Sequence, residues 1–202
     1  MIGLIDIQIG NINSIVKALE YLNIKYQIVT ETSELVKCSK IIFPGVGSFS
    51  AASKKLHQSG LKDCICNLVL DKKIPFFGIC LGMQLIAKSS DENGNSLGLG
   101  LIDAQIKKIP ESKDIKIPHI GWNNVQHDGV GLYKNIKRNA DFYFVHSYRM
   151  VLNDESIKCF YTNHGVDIVA YIQHRNIFGV QFHPEKSQAD GLALIKNFSE
   201  LC

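Results

Sequence analysis

The sequence predicts a doubly wound α/β fold, with a mostly parallel central sheet, helices on both faces and an additional antiparallel strand region. Two observations carry this prediction. Short apolar segments alternate with helical patterns through the first half of the 202-residue chain, which is typical of a parallel sheet covered on both sides. In the second half, turn residues separate short alternating segments, and this pattern favours antiparallel strands.

The first half of the chain contains the predicted parallel strands and the helices between them. Each strand is a short apolar run, and the helices show apolar residues at helical spacing, as Ile15, Ala18, Leu19 and Leu22 do. Ligands of such sheets bind beyond the carboxyl ends of the strands, where the loops 44–49 and 80–82 are expected. The predicted strands are 2–7, 26–29, 40–43 and 74–79, and the predicted helices are 15–22, 50–70 (one helix or two) and 83–88.

The second half contains the predicted antiparallel region and a closing helix. Leu192, Leu194, Ile195 and Phe198 lie at helical spacing, so residues 190–201 are predicted to form a helix that closes the sheet. The chain has no linker of low complexity and no internal repeat, and we therefore expect a single domain over 1–202. The predicted strands are 104–109, 142–145, 157–161, 168–173 and 177–182.

Composition and charge narrow the class of protein. The formal net charge is +3 and the basic residues are scattered, so neither nucleic acid nor an anionic membrane is an expected partner. Neither a leader-like N-terminus nor an apolar run of membrane-spanning length is seen, which predicts a cytoplasmic protein. The six cysteines lack the density of a disulfide framework and the paired spacing of a zinc site. We expect free thiols and no metal.

Segment 78–82, Gly-Ile-Cys-Leu-Gly, follows an apolar strand and opens a helix. This is the context of a nucleophile elbow, in which the nucleophile here is sulfur instead of oxygen. A sharp strand-to-helix turn crowds the backbone, so the positions two residues away must be small, and both are glycine. The turn also places Cys80 at a helix N-terminus, where unpaired N–H groups favour the thiolate. A buried structural cysteine is the alternative, and we prefer it for the other five cysteines.

A second segment, His183-Pro184-Glu185, supplies a candidate base for Cys80. In extended backbone, residues two apart point to the same side, so Glu185 is expected beside His183, where it would orient the imidazole. Pro184 restricts the backbone between them. Together these residues predict a Cys80, His183, Glu185 triad. The remaining histidines interpreted as surface or loop residues are His57, His127, His164 and His174.

Acyl transfer also needs hydrogen-bond donors for the tetrahedral oxyanion, each contributing on the order of 3 kcal/mol to barrier lowering. Segment 44–47, Pro-Gly-Val-Gly, directly follows a predicted strand. Gly45, Val46 and Gly47 would allow a backbone N–H to face the ligand, and the N–H of Leu81 would be the second donor. A plain strand-to-helix turn is the alternative for this segment.

Together, segments 44–47, 78–84 and 181–187 resemble the class I, triad-type glutamine amidotransferases, and the resemblance covers nearly the whole chain. It implies that Cys80 hydrolyses L-glutamine without a cofactor. It also implies that glutamine is held by Gln84 and by the backbone near His146, Ser147 and Tyr148.

Within that superfamily, segments 118–123 and 143–148 resemble the glutaminase subunits of imidazole glycerol phosphate synthases. That resemblance implies a heterodimer with a (β/α)₈-barrel cyclase, which consumes a phosphoribulosyl formimino aminoimidazole carboxamide nucleotide in histidine biosynthesis. The first loop departs from the family pattern, because Gln8 replaces a glycine. The implied interface residues are Asn11, Trp122, Asn123 and Lys186.

Three alternatives stay open at this point. A paralogous glutaminase subunit would feed ammonia to a sugar-amidating partner in surface glycan synthesis. A cysteine peptidase-like hydrolase would also use an elbow thiol and a histidine, but would lack Gln84 and the His-Pro-Glu run. A non-catalytic module would retain the fold alone, which the presence of all three triad residues disfavours.

Overall fold

The central element of the structure, a computed structural model that describes residues 1–111 and 115–201, is a seven-stranded sheet. Five strands are parallel to one another, and the two at one edge pair in antiparallel fashion. In sheet order the strands are β11 (Lys158–Asn163), β12 (Asp167–His174), β13 (Ile177–Val180), β4 (Phe76–Cys80), β3 (Lys40–Gly45), β1 (Ile2–Ile5) and β2 (Tyr26–Val29).

The register aligns the carboxyl ends of the three middle strands. Gly45 at the end of β3 lies opposite Cys80 at the end of β4, and Val180 at the end of β13 lies opposite Ile79. The segments that follow these three strands therefore leave the sheet at the same edge. This edge is where a doubly wound sheet binds its ligands.

Two smaller strand groups flank the central sheet. A four-stranded sheet has the order β10-β7-β5-β6, and β8 and β9 form an antiparallel pair. The strands of these groups are β5 (Ser89–Ser90), β6 (Ser96–Leu97), β7 (Ala104–Lys108), β8 (His119–Gln126), β9 (Asn139–His146) and β10 (Tyr148–Leu152).

Helices cover both faces of the central sheet, and each face buries its own apolar core. On one face the core contains residues of α1, α6 and the β8–β9 pair; on the other it contains residues of α2 to α5 and of β7 and β10. The predicted doubly wound α/β fold is therefore confirmed. The helices are α1 (Asn13–Tyr21), α2 (Thr32–Leu35), α3 (Phe49–Gln58), α4 (Leu61–Cys66) with a π-helical extension (Asn67–Asp71), α5 (Leu81–Leu85) and α6 (Gln188–Ser199).

The structure departs from the predicted elements at several places. The helix predicted at 83–88 is α5, which begins directly after Cys80 and ends at Leu85, because the elbow starts the helix at once. The strand predicted at 177–182 ends at Val180. Strands β8 and β10 and helix α2 were not predicted. Their sequences mix Gly, Asn, Thr or charged residues among the apolar ones, which hides the strand or helix period.

No helix within 1–111 or 115–201 is long and apolar enough to cross a membrane. The five described cysteines, Cys38, Cys64, Cys66, Cys80 and Cys159, are all free thiols, as expected, and Cys202 lies outside the described residues.

Candidate active site

Cys80 occupies a strained turn between β4 and α5. Its backbone has φ 53° and ψ −107°, a conformation that L-residues rarely adopt and that is common at functional sites. The flanking glycines are required by close packing. A Cβ on Gly78 would lie 2.6 Å from the Gly82 carbonyl oxygen, and a Cβ on Gly82 would lie 1.7 Å from the carbonyl oxygen of Phe43. The predicted reason, backbone crowding within the turn, holds for Gly78, whereas Gly82 must be small because strand β3 passes close to it.

The structure brings His183 and Glu185 together beside this turn. His183 Nδ1 lies 2.8 Å from Glu185 Oε1, and both side chains are almost fully buried. The backbone conformation that brings the two side chains together differs from the predicted one. His183 is extended, but Pro184–Lys186 form a 3-10 turn, so Glu185 returns to the imidazole from a helical turn and not from a continuing strand.

The remaining ring nitrogen of His183 is available to Cys80. His183 Nε2 is buried and has no hydrogen bond of regular geometry within the described part of the chain. Burial lowers the pKa of His183, but the charge of Cys80, its contact with the ring and the hydrogen bond to Glu185 outweigh burial and raise the pKa to about 10. The arrangement therefore favours an imidazolium that faces the Cys80 sulfur at neutral pH.

A cavity of about 340 Å³ is lined in part by Cys80. Its volume suits a ligand of amino-acid size. Gly45 does not line the cavity, and a Cβ at this position would lie 3.1 Å from the Cβ of Leu81. The other residues predicted to hold glutamine or the oxyanion all line it, together with three that were not predicted; the lining residues are Val46, Gly47, Cys80, Leu81, Gln84, Glu92, Pro118, Val145, His146, Ser147 and Tyr148.

Two backbone N–H groups are candidates for an oxyanion hole. Leu81 is the first residue of α5, and the helix provides no partner for its N–H. Gly47 has φ 129°, which only glycine adopts readily, and it lies in the loop that follows β3. Because the ends of β3 and β4 are in register, both groups border the same cavity.

A buried hydrogen-bond chain holds the opposite wall of the cavity. The carbonyl of Tyr148 accepts hydrogen bonds from Gln84 Nε2 at 3.2 Å and from His146 Nδ1 at 2.8 Å. His146 Nε2 lies 3.0 Å from His119 Nδ1. Since His146 Nδ1 donates, its Nε2 must accept from His119 when both rings are neutral. Burial lowers the pKa of His146 to about 3 and that of His119 to about 4, which keeps both neutral.

Several residues of the site were missed from the sequence. Glu92 lines the cavity, while its Oε2 accepts the Phe49 backbone N–H at 2.6 Å. Nothing in its surroundings, a polar turn, distinguishes it from a surface residue. His119 was also missed as a partner of His146. His127 lies in a loop, as expected, but its ring is not at the surface: it is buried and stacks on Tyr133.

The residues proposed for a partner interface do not form one group. Trp122 is 49% exposed and packs against Tyr143, and the Lys186 ammonium lies over the same Tyr143 ring. Asn11 is exposed just before α1. Asn123 points elsewhere: its Nδ2 donates to the Asn163 carbonyl at 2.8 Å. Trp122 and Lys186 thus share one surface with Tyr143, whereas Asn123 contacts β11.

Comparison with known proteins identifies the family of the chain. The family model "Glutamine amidotransferase class-I" matches residues 3–201. The imidazole glycerol phosphate synthase subunit HisH of Leptospira borgpetersenii is 43% identical, and that of Methanocaldococcus jannaschii is 44% identical, each alignment covering 100% of both chains. A crystal structure of a glutamine amidotransferase superposes with a TM-score of 0.78 at 19% identity, over 98% of this chain and 96% of that chain. A glutamine amidotransferase from Thermotoga maritima gives a TM-score of 0.70 at 16% identity, over 99% of this chain and 98% of that chain. The chain therefore belongs to the class I glutamine amidotransferase family, in the group of imidazole glycerol phosphate synthase subunits HisH.

Proposed function

We propose that this chain hydrolyses L-glutamine at Cys80 and delivers the ammonia to a cyclase subunit of an imidazole glycerol phosphate synthase in histidine biosynthesis. One observation carries the proposal: Cys80 at a strained elbow, with the His183–Glu185 pair beside it, lines a cavity of about 340 Å³. A thiolate, a proton donor and an orienting carboxylate are the groups that amide hydrolysis through a thioester needs.

Acylation begins when the Cys80 sulfur attacks the side-chain amide carbon of glutamine. The N–H groups of Gly47 and Leu81 stabilise the negative oxygen of the tetrahedral intermediate. His183, whose pKa is raised to about 10, carries the proton that the leaving nitrogen requires. It transfers this proton as the C–N bond breaks, which releases ammonia and leaves a glutamyl thioester on Cys80.

Hydrolysis of the thioester uses the same residues. His183, now neutral, takes a proton from water, and the resulting hydroxide attacks the thioester carbon. Collapse of the second tetrahedral intermediate releases glutamate and regenerates the Cys80 thiolate beside an imidazolium. Glu185 holds His183 Nδ1–H at 2.8 Å throughout, which fixes the ring with Nε2 toward the sulfur.

Glutamine recognition is assigned to the wall opposite Cys80. The substrate carries an α-ammonium group, and Glu92 is the one carboxylate among the described residues that line the cavity. Gln84 and the backbone at Ser147 and Tyr148 supply hydrogen-bonding groups for the polar atoms of the amino acid. We assign Glu92 to the ammonium group because opposite charges meet there in a partly desolvated site.

The acceptor of ammonia is assigned to a second polypeptide. The relatives of this chain are named as synthase subunits, and the surface around the exposed Trp122 and its neighbour Tyr143 offers aromatic side chains of the kind enriched at interfaces. A (β/α)₈-barrel cyclase is the proposed partner. Docking would bias the Val46–Gly47 peptide toward the oxyanion position, because glycine rotates at small steric cost.

Glutamate release by the purified chain tests the proposal. We expect low turnover alone, strong stimulation by the barrel cyclase with its nucleotide, and none by a sugar-amidating partner with its substrate. Cys80→Ala should abolish turnover, whereas the matched variant Cys64→Ala, at a partly buried thiol outside the cavity, should retain it. Stimulation only by the sugar-amidating partner would contradict the histidine-pathway assignment, and full turnover by the chain alone would contradict the gating.

A further inference from the structure

We infer that Gln181 is a positioning residue of the active site, whose amide N–H group holds the Cys80 sulfur in its anionic form. Gln181 follows the end of β13 and is fully buried. Its Nε2 lies 3.7 Å from Cys80 Sγ, within the range of an N–H to sulfur hydrogen bond. The inference rests on the proposed role of Cys80 as the nucleophile.

The orientation of the Gln181 amide is fixed by its neighbours. Gln84 Nε2 donates one hydrogen to the Tyr148 carbonyl at 3.2 Å and the other to Gln181 Oε1 at 3.1 Å. A rotated Gln181 amide would set its NH₂ group against that of Gln84 and its oxygen against the sulfur. The Tyr148 carbonyl, which also accepts from His146, therefore determines through Gln84 which end of Gln181 faces Cys80.

This donor offsets an unfavourable neighbour of the sulfur. The carbonyl of Val145 lies 4.0 Å from Cys80 Sγ, and a carbonyl oxygen favours a protonated thiol over a thiolate. Gln181 is neutral and lies deep in the protein, so it provides a fixed dipole that stabilises negative charge on sulfur without competing for the proton. The positive charge that stabilises the sulfur comes from the His183 imidazolium, whereas Gln181 contributes an N–H group whose orientation toward the sulfur is fixed.

Gln181 also links the nucleophile to the residues that line the substrate cavity. Gln84 and Tyr148 border the cavity and bond to one another, and Gln84 bonds to Gln181. A displacement of the Tyr148 carbonyl would release Gln84 and then the Gln181 amide. The position of the sulfur therefore depends on the same hydrogen bonds that shape the glutamine site.

Alkylation of Cys80 in the full chain by iodoacetamide tests the inference, with the modified residue identified by mass spectrometry. We compare Gln181→Met, which fills similar space without hydrogen-bonding groups, and Gln181→Glu, which still accepts from Gln84 but faces the sulfur with oxygen. Gln173→Met is the matched control, because Gln173 accepts from the Tyr171 hydroxyl on β12 and does not line the cavity.

Both Gln181 variants should alkylate about 10-fold more slowly at pH 7, with a larger ratio of the rate at pH 9 to that at pH 7, as expected for the loss of a hydrogen bond to a charged group. Gln173→Met should match the wild type. Wild-type rates and pH ratios in Gln181→Met would overturn the inference, because a side chain without an N–H group would then support the same thiol reactivity. If Gln181→Met does not fold, wild-type behaviour of Gln181→Glu overturns it equally. Alkylation needs no glutamine, so a chain that alkylates normally but releases no glutamate even with the barrel cyclase and its nucleotide would contradict the proposed function and not the role of Gln181.

Discussion

Acid should destabilise this protein through His146. The ring is 6% exposed, its Nδ1 donates to the Tyr148 carbonyl, and its Nε2 faces His119. A proton on Nε2 would set two N–H groups against each other unless the His119 ring also changed its tautomer. His119 Nε2 lies 3.4 Å from the Asn123 amide nitrogen, which also donates to the Asn163 carbonyl. A tautomer change of His119 would therefore place an N–H against the Asn123 NH₂ group and break this contact.

The size of the effect follows from the pKa of His146, which burial lowers from the ordinary 6.5 to about 3. Below pH 6.5 the unfolded chain binds a proton that the folded chain does not, so stability falls as the pH falls. At pH 5, about 1.5 pH units below the ordinary pKa of 6.5, this proton lowers the unfolding free energy by about 2 kcal/mol. The folded protein keeps His146 neutral at this pH.

Urea unfolding at pH 9, 7.5 and 5 measures this effect in the wild type and in His146→Asn, whose amide still reaches toward the Tyr148 carbonyl. The difference in unfolding free energy between the two proteins should shrink by about 2 kcal/mol from pH 7.5 to pH 5, because only the wild type loses this contribution. Between pH 9 and 7.5 the difference should stay constant, since His146 is neutral in both states. A constant difference down to pH 5 would show that His146 does not cause the loss of stability in acid.

Three further predictions concern the catalytic site. In steady-state glutamate release, His183→Ala should lose nearly all activity and Glu185→Gln less, because the orienting member of a triad is the least indispensable; equal rates for His183→Ala and wild type would remove His183 from the mechanism. Gly82→Ala should lower the unfolding free energy by about 3 kcal/mol or more and abolish turnover, because its Cβ would lie 1.7 Å from the Phe43 carbonyl oxygen; a wild-type melting temperature would contradict the elbow geometry. Glu92→Gln should raise KM for glutamine with little change in kcat, and an unchanged KM would exclude Glu92 from ammonium binding.

Those parts of the fold and site that depend on neighbours in sequence were predictable. The spacing of Gly78, Cys80 and Gly82 indicates a crowded turn, and the structure shows the local contact with Gly82 that excludes a side chain at Gly78. The contact of Gly82 with Phe43 on β3 could not be predicted from its neighbours in sequence. Apolar runs located the strands β1, β3 and β4, because a buried parallel strand needs apolar residues on both faces.

Features that depend on distant contacts were not predictable. Glu92 reaches the cavity because its carboxylate accepts the N–H of Phe49, 43 positions away. His119 meets His146 through the pairing of β8 with β9, and β8 itself was hidden by its polar and glycine residues. The position of Glu185 was predicted correctly relative to His183 but for an incomplete reason, since a 3-10 turn and not a strand returns it to the ring.

One comparison tests most clearly whether this chain produces the ammonia and the cyclase uses it. Product formation by the complex of this chain with the barrel cyclase is measured with glutamine and, separately, with ammonium salt, for the wild type and for Cys80→Ala. We expect that Cys80→Ala loses glutamine-dependent product formation and keeps the ammonium-dependent rate of the wild type. Loss of the ammonium-dependent reaction in an intact complex, or glutamine-dependent product from Cys80→Ala, would contradict this expectation.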